Sequence, residues 1–157
     1  MKRILSKIIS GLLMLFLLIN LSSCLESGLE DLPSFKDAEI TAMKFEYRWT
    51  RNPTTSPLLA VVTMPTVTTI NGTTINCTIT VPEAGNPSMF TADVRSQVTL
   101  SNLIGMPTIS TAATINSLEG APIFGEWGDY TKTWKYRVTA ADGKTTKDWT
   151  IICTLKK

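Results

Sequence analysis

Residues Thr133 to Leu155 constrain the fold of this chain more tightly than any other stretch. Two runs, Thr133 to Ala141 and Thr145 to Leu155, flank Asp142-Gly143, a turn dipeptide between segments with the period of half-buried strands. A two-residue turn there pairs Tyr136 with Trp149 and Trp134 with Ile151, so both members of each pair are apolar. The same register sets Arg137 opposite Asp148 on the outer face, an opposite-charge cross-strand pair. Turn chemistry, apolar face and charge pairing agree on one β-hairpin.

The same period recurs upstream. From Ile40 onward, Met43, Phe45, Tyr47 and Trp49 fall on one face and Ala42, Lys44, Glu46 and Arg48 on the other. Residues Arg51 to Pro57 read as a loop, Leu58 to Met64 as a short apolar run, and Pro65 as an interruption. Thr66 to Ile70 then meets Thr73 to Val81 across Asn71-Gly72, a strong hairpin signal. Its two-residue turn predicts Ile70 facing Thr73, Thr68 facing Ile75 and Thr66 facing Cys77, with Ile75, Cys77, Ile79 and Val81 on one side. The many threonines between 50 and 80 fit the solvent face of strands better than a glycosylated stalk, because Ile and Val keep the alternation. Between Pro82 and Gly128 the pattern is less regular: Val98 to Ile104 reads as a strand or a helical turn, and Met106 to Ser110 as a short strand. Short strands, frequent turn signals and no long amphipathic helix after the N-terminal segment predict an all-β sandwich.

The first 23 residues have a different character. Lys2, Arg3 and Lys7 precede an apolar run from Ile8 to Leu21, which is short for a membrane span and ends in Leu21-Ser22-Ser23-Cys24. This resembles the lipobox of bacterial lipoprotein precursors, and the resemblance implies a signal peptide over 1–23 and lipidation of Cys24. Residues 24–36 then read as lipidated cysteine and tether, and 37–157 as the folded domain. Leu25 to Ser34 would span up to roughly 30 Å at about 3.3 Å per residue. Glu26, Glu30 and Asp31 resemble the acidic segment of surface-exported lipoproteins of Bacteroidetes, or serve simply as a solvated linker.

Charge and composition remove whole classes of function. The signal segment holds three of the 15 basic residues and none of the 13 acidic ones, so the mature chain is close to neutral. It lacks the clustered Lys/Arg of a nucleic-acid binder. With no histidine in the chain, His-based acid/base chemistry, Ser-His-Asp and Cys-His nucleophiles and imidazole metal sites are excluded. No cofactor is implied. Beyond Cys24 the chain has Cys77 and Cys153, too few for a zinc site on their own.

Several segments, taken in order, resemble a known family. They are Glu39-Ile40-Thr41, INGTTINCTITVP over 70–82, VTLSNLIGMPTISTAATI over 98–115, and YRVTAADGKTTKDWTI over 136–151. They are similar to the small immunoglobulin-like or cadherin-like domains of Bacteroidetes lipoproteins, several of which belong to polysaccharide-uptake systems. The resemblance covers most of 38–155, is most specific over Tyr136 to Thr150, and is interrupted around Ser88 to Ser96, which reads as an insertion. It implies an immunoglobulin-like β-sandwich of about seven short antiparallel strands, anchored by lipid in the outer membrane at the cell surface. It brings no catalytic residues.

Two constellations carry candidate chemistry. Cys77 is in phase with Ile75 and Ile79, and Cys153 with Trp149, Ile151 and Leu155, so both thiols are expected in the core, either as a disulfide or as two free thiols. Trp49, Trp134 and Trp149 fall on apolar strand faces, but Trp127 lies in the Gly-flanked loop Gly125-Glu126-Trp127-Gly128-Asp129-Tyr130. Trp127, Tyr130, Glu126 and Asp129 are the candidate glycan-binding residues, since an aromatic face beside hydrogen-bonding groups suits a sugar. Alternatively Trp127 folds back to cap the sandwich. A glycosidase pair of Glu126 and Asp129 needs a cleft and one raised carboxyl pKa, which a loop of a small sandwich does not offer, so no enzyme is expected. The sequence points to a lipid-anchored binding or accessory module for glycans, with docking onto another surface lipoprotein as the alternative.

Overall fold

The computed structural model describes residues 35–51 and 56–157. The signal segment, Cys24, the tether up to Ser34 and residues 52–55 lie outside the described residues. Alternation shapes the first strand, β1 (Ile40–Arg51), which buries Met43, Phe45 and Tyr47 and leaves Trp49 half-buried. Ile40 is buried too, although it is out of phase with Met43, because the register shifts between Ile40 and Ala42. An extra residue at such a bulge flips the phase of the alternation.

β2 (Leu58–Met64) pairs with β1, and Pro65 then separates it from β3 (Thr66–Asn71). Pro65 has no N–H for a ladder, but its carbonyl accepts from the Thr80 N–H at 2.8 Å as the chain passes to the second sheet. The hairpin between β3 and β4 (Thr74–Thr80) is present in a different register from the expected one: Ile70 faces Ile75, Thr68 faces Cys77 and Thr66 faces Ile79. The turn residues are Gly72 and Thr73, with Gly72 at φ +61°, and glycine at the first central position suits a II′ turn. This moves each partner by two residues, which preserves the faces, and Ile75, Cys77 and Ile79 are buried as expected.

The irregular middle resolves into a short helix α1 (Ala92–Gln97), a 3-10 turn (Leu100–Asn102), β5 (Leu103–Ile109), β6 (Thr114–Leu118) and β7 (Trp127–Gly128). Val98 to Ile104 therefore runs from the C-cap of α1 through the 3-10 turn into β5. The segment read as an insertion supplies Phe90, which is fully buried. β8 (Trp134–Thr139) and β9 (Thr146–Lys156) form the expected hairpin with the expected pairs, Trp134 with Ile151, Tyr136 with Trp149 and Arg137 with Asp148. The guanidinium of Arg137 donates to both carboxylate oxygens of Asp148, at 2.6 and 2.8 Å.

The strands form an all-β sandwich of two sheets, in the orders β2-β1-β5-β7 and β3-β4-β9-β8-β6. Among the described residues there are nine strands rather than about seven, and β4 and β9 run parallel where antiparallel pairing was expected. Between the sheets lie Phe45, Phe90, Tyr130, Tyr136 and Trp149, all fully buried. Each such side chain contributes up to about 3 kcal/mol by leaving water. No helix among the described residues is long and apolar enough to cross a membrane.

Candidate functional site

The chain joins the sandwich at Phe35, whose carbonyl accepts from Asp142 N–H in the β8–β9 turn, and β1 begins there beside the end of β5. The loop carrying Trp127 lies farther along β1, level with its middle. Ile104 pairs with Glu46 on one side and with Trp127 on the other, and Ile40 to Glu46 spans roughly 20 Å at about 3.3 Å per residue. Strand β7 is only two residues long, so β5 binds the rest of the loop through single contacts. The Gly105 carbonyl accepts from Gly125 N–H at 2.9 Å, and Gly105 N–H donates to the Tyr130 hydroxyl at 3.2 Å.

Glycines permit this close approach. A Cβ on Gly105 would lie 2.5 Å from the Tyr130 hydroxyl oxygen, and one on Gly128 would lie 2.5 Å from Pro122 Cβ. The loop they hold exposes 53 % of Trp127. The buried edge of that indole meets Tyr47 edge to face at 5.8 Å, Tyr47 stacks on Trp49 at 6.0 Å, and Trp49 tilts against Phe90 at 5.8 Å. Trp127 thus neither folds inward nor swings free: it is a half-exposed aromatic surface braced by a column of core aromatics.

Glu126 and Asp129 are exposed beside Trp127. Asp129 is engaged in its own turn, accepting from Thr131 N–H at 2.8 Å and from the Thr131 hydroxyl at 2.6 Å. The Thr131 hydroxyl, and then its N–H, hold the Asp129 carboxyl below the usual range. Tyr130 corrects the sequence expectation. It is fully buried, packs edge to face on Phe45 at 5.1 Å, and its phenol is pushed up to about 12 by burial. A side chain spent on the core cannot touch a ligand, so Tyr130 anchors the loop. Tyr47 was legible only as an inward residue of β1, and its bracing role depends on the β5–β7 pairing.

Ahead of the loop, Ile123 and Phe124 with Ile115, Asn116 and Ser117 line a cavity of about 390 Å³. Phe124 stacks on Tyr136 at 4.2 Å, and the Tyr136 hydroxyl donates to the Pro122 carbonyl at 3.0 Å. This feature was not anticipated from the sequence, where its only local mark is the apolar run Ala121-Pro122-Ile123-Phe124 just before a glycine. Cys77 and Cys153 face one another as register partners on β4 and β9, both as free thiols. No group of three or more His, Cys, Asp or Glu side chains among the described residues is placed to hold a metal ion.

Comparison with known proteins gives the following. A crystal structure of a candidate secreted protein from Bacteroides fragilis NCTC 9343 is 35% identical, with a TM-score of 0.71 over 80% of this chain and 100% of that one. A second crystal structure, of a Bacteroides thetaiotaomicron protein described as a candidate glycoside hydrolase, is 24% identical with a TM-score of 0.47, over 83% of this chain and 28% of that one. No curated protein matches the chain. The family model described as DUF5018-related matches residues 40–152, a span from the start of β1 into β9. By that match the chain belongs to the DUF5018-related family.

Proposed function

We propose that this chain is a secreted, lipid-anchored module of the bacterial outer surface that captures polysaccharide on its Trp127 loop. The observation that carries this reading is a large aromatic left 53 % exposed on a loop at the β7 edge of its sheet, braced from below by Tyr47. Trp127 offers a flat apolar face to sugar C–H groups, and Glu126 beside it accepts hydroxyl protons. The 35% identical Bacteroides fragilis protein, described as secreted, supports the location.

A soluble form, residues 25–157, screened against plant, host and microbial polysaccharides tests the reading. Binding should be detected and should be lost in Trp127→Ala. Absence of binding across the panel removes the glycan reading.

A second reading has its own observation. Among the described residues β2 is an unpaired sheet edge whose outward residues Leu59 and Val61 are exposed, with no charged residue between Leu58 and Met64. Such an edge is a template for another strand. In that case the protein docks onto another surface protein, and a partner co-purifies whatever sugar is present and whatever stands at position 127.

A further inference from the structure

The parallel pairing of β4 with β9 is the seam that joins the β3–β4 hairpin to the C-terminal strands. Seven register pairs hold it, and Cys77 with Cys153 is the middle one. Neighbouring strands lie about 4.8 Å apart, inside the roughly 4.4–6.8 Å range of Cα separations that a disulfide spans. Cys77 is 1 % exposed while Cys153 is half-buried, so Cys153 is the more accessible residue of the pair. They are the only thiols among the described residues.

We propose that Cys77 and Cys153 form an oxidisable pair that closes to a disulfide in an oxidising compartment and staples the β4–β9 seam. The oxidant is a disulfide of a small thiol or of an exported dithiol protein, R–S–S–R. Cys153 sulfur displaces one RS– group, which leaves as R–SH, and forms a mixed disulfide. Cys77 sulfur then attacks Cys153 Sγ, the S–R bond breaks, and the second R–SH leaves. The two cysteines lose two electrons and two protons, and the oxidant's two sulfurs gain them.

The test uses the mature chain with Cys24→Ser, so that Cys77 and Cys153 are its only thiols. One sample is refolded from denaturant in oxidised and reduced glutathione, a second is exposed to oxidised glutathione while folded, and a third is kept reduced. Each is then denatured, alkylated and weighed, and each is melted. The expected result for the refolded sample is a monomer that takes up no alkyl group and has lost the two thiol hydrogens. Its Tm should exceed that of the reduced sample by on the order of 10 °C. Cys77→Ser and Cys153→Ser should each abolish the difference and leave one alkylatable thiol. The proposal is overturned by two alkyl groups in both oxidised samples, by glutathione adducts or dimers as the end product, or by an internal disulfide without a rise in Tm.

Discussion

Gly105→Ala is the sharpest test of how the Trp127 loop is held. The new methyl would lie 2.5 Å from the Tyr130 hydroxyl oxygen, 2.9 Å from its Cζ and 3.2 Å from Phe45 Cε1. All three atoms belong to fully buried rings, so none can swing into solvent. Overpacking of this kind costs about 1–3 kcal/mol. Displacing Tyr130 also weakens the bond it accepts from Gly105 N–H, for about 0.5–1.5 kcal/mol more. Reduced freedom of the unfolded chain returns about 0.4–1 kcal/mol. The net expectation is a loss of about 2–3 kcal/mol, seen as a lower urea midpoint at unchanged m-value. Tyr130→Phe removes the nearest of the clashing atoms. Alone it should destabilise, because Gly105 N–H loses its acceptor, but the double variant should be more stable than the two single losses predict by at least about 1 kcal/mol. A Gly105→Ala cost below about 0.5 kcal/mol, or additive single losses, would refute the reasoning.

Three further outcomes are expected. Trp127→Ala should weaken polysaccharide binding at least about tenfold in affinity gels while unfolding less easily than Gly105→Ala, since it gives up chiefly one edge-to-face contact of about 0.5–1.5 kcal/mol. In acid, Asp142 matters: the Thr145 hydroxyl, then the N–H groups of Thr145 and Lys144, hold its carboxyl near about 2, below the unfolded value of about 3.9. Its contribution is therefore present above about pH 4 and lost as pH falls towards 2, and urea midpoints measured over that window should fall less steeply in Asp142→Asn. In alkali the sign reverses. Burial raises Tyr47, Tyr130 and Tyr136, the three tyrosines of the chain, with Tyr130 near about 12. For Tyr130 the stability its neutral form contributes is intact below the unfolded value of about 10 and lost as pH climbs through about 12, and the other two act in the same direction. Phenolate absorbance should therefore rise only together with loss of circular dichroism, and normal titration near pH 10 in the folded state would contradict the burial.

Local chemistry made the C-terminal hairpin legible, because Asp142-Gly143, two apolar pairs and Arg137 opposite Asp148 all depend on residues near in sequence. The first hairpin was legible except for its turn. Asn71-Gly72 contains a glycine that suits either central position, and the period of two gives the same buried face for both registers. Long-range pairing left no such mark. Parallel partners β4 and β9 carry equally good alternation whichever strand lies beside them, and Phe90 reads as one aromatic in a turn-rich stretch. For the site, glycines and a loop tryptophan gave its position. The sequence could not separate Trp127 from Tyr130, because what buries Tyr130 is the absence of a Cβ on Gly105, a residue of another strand.

The exposure of Trp127 also limits what it can hold. A tryptophan buries about 150–250 Å² when covered, so the 53 % left open is roughly 100 Å² of surface. At about 25 cal/mol per Å², covering it gains about 2.5 kcal/mol, short of the roughly 4.1 kcal/mol of a millimolar complex. Hydrogen bonds from Glu126 raise the total only modestly, since the same groups give up water. One such contact does not retain a free monosaccharide. It suffices when many copies, confined to one membrane surface, meet a polymer that repeats the same unit, because each further contact then forms at high effective concentration. Under the proposed glycan-binding reading, a single exposed aromatic favours long chains over short ones, and affinity for a polysaccharide should grow with its length in a way that affinity for its oligosaccharides does not.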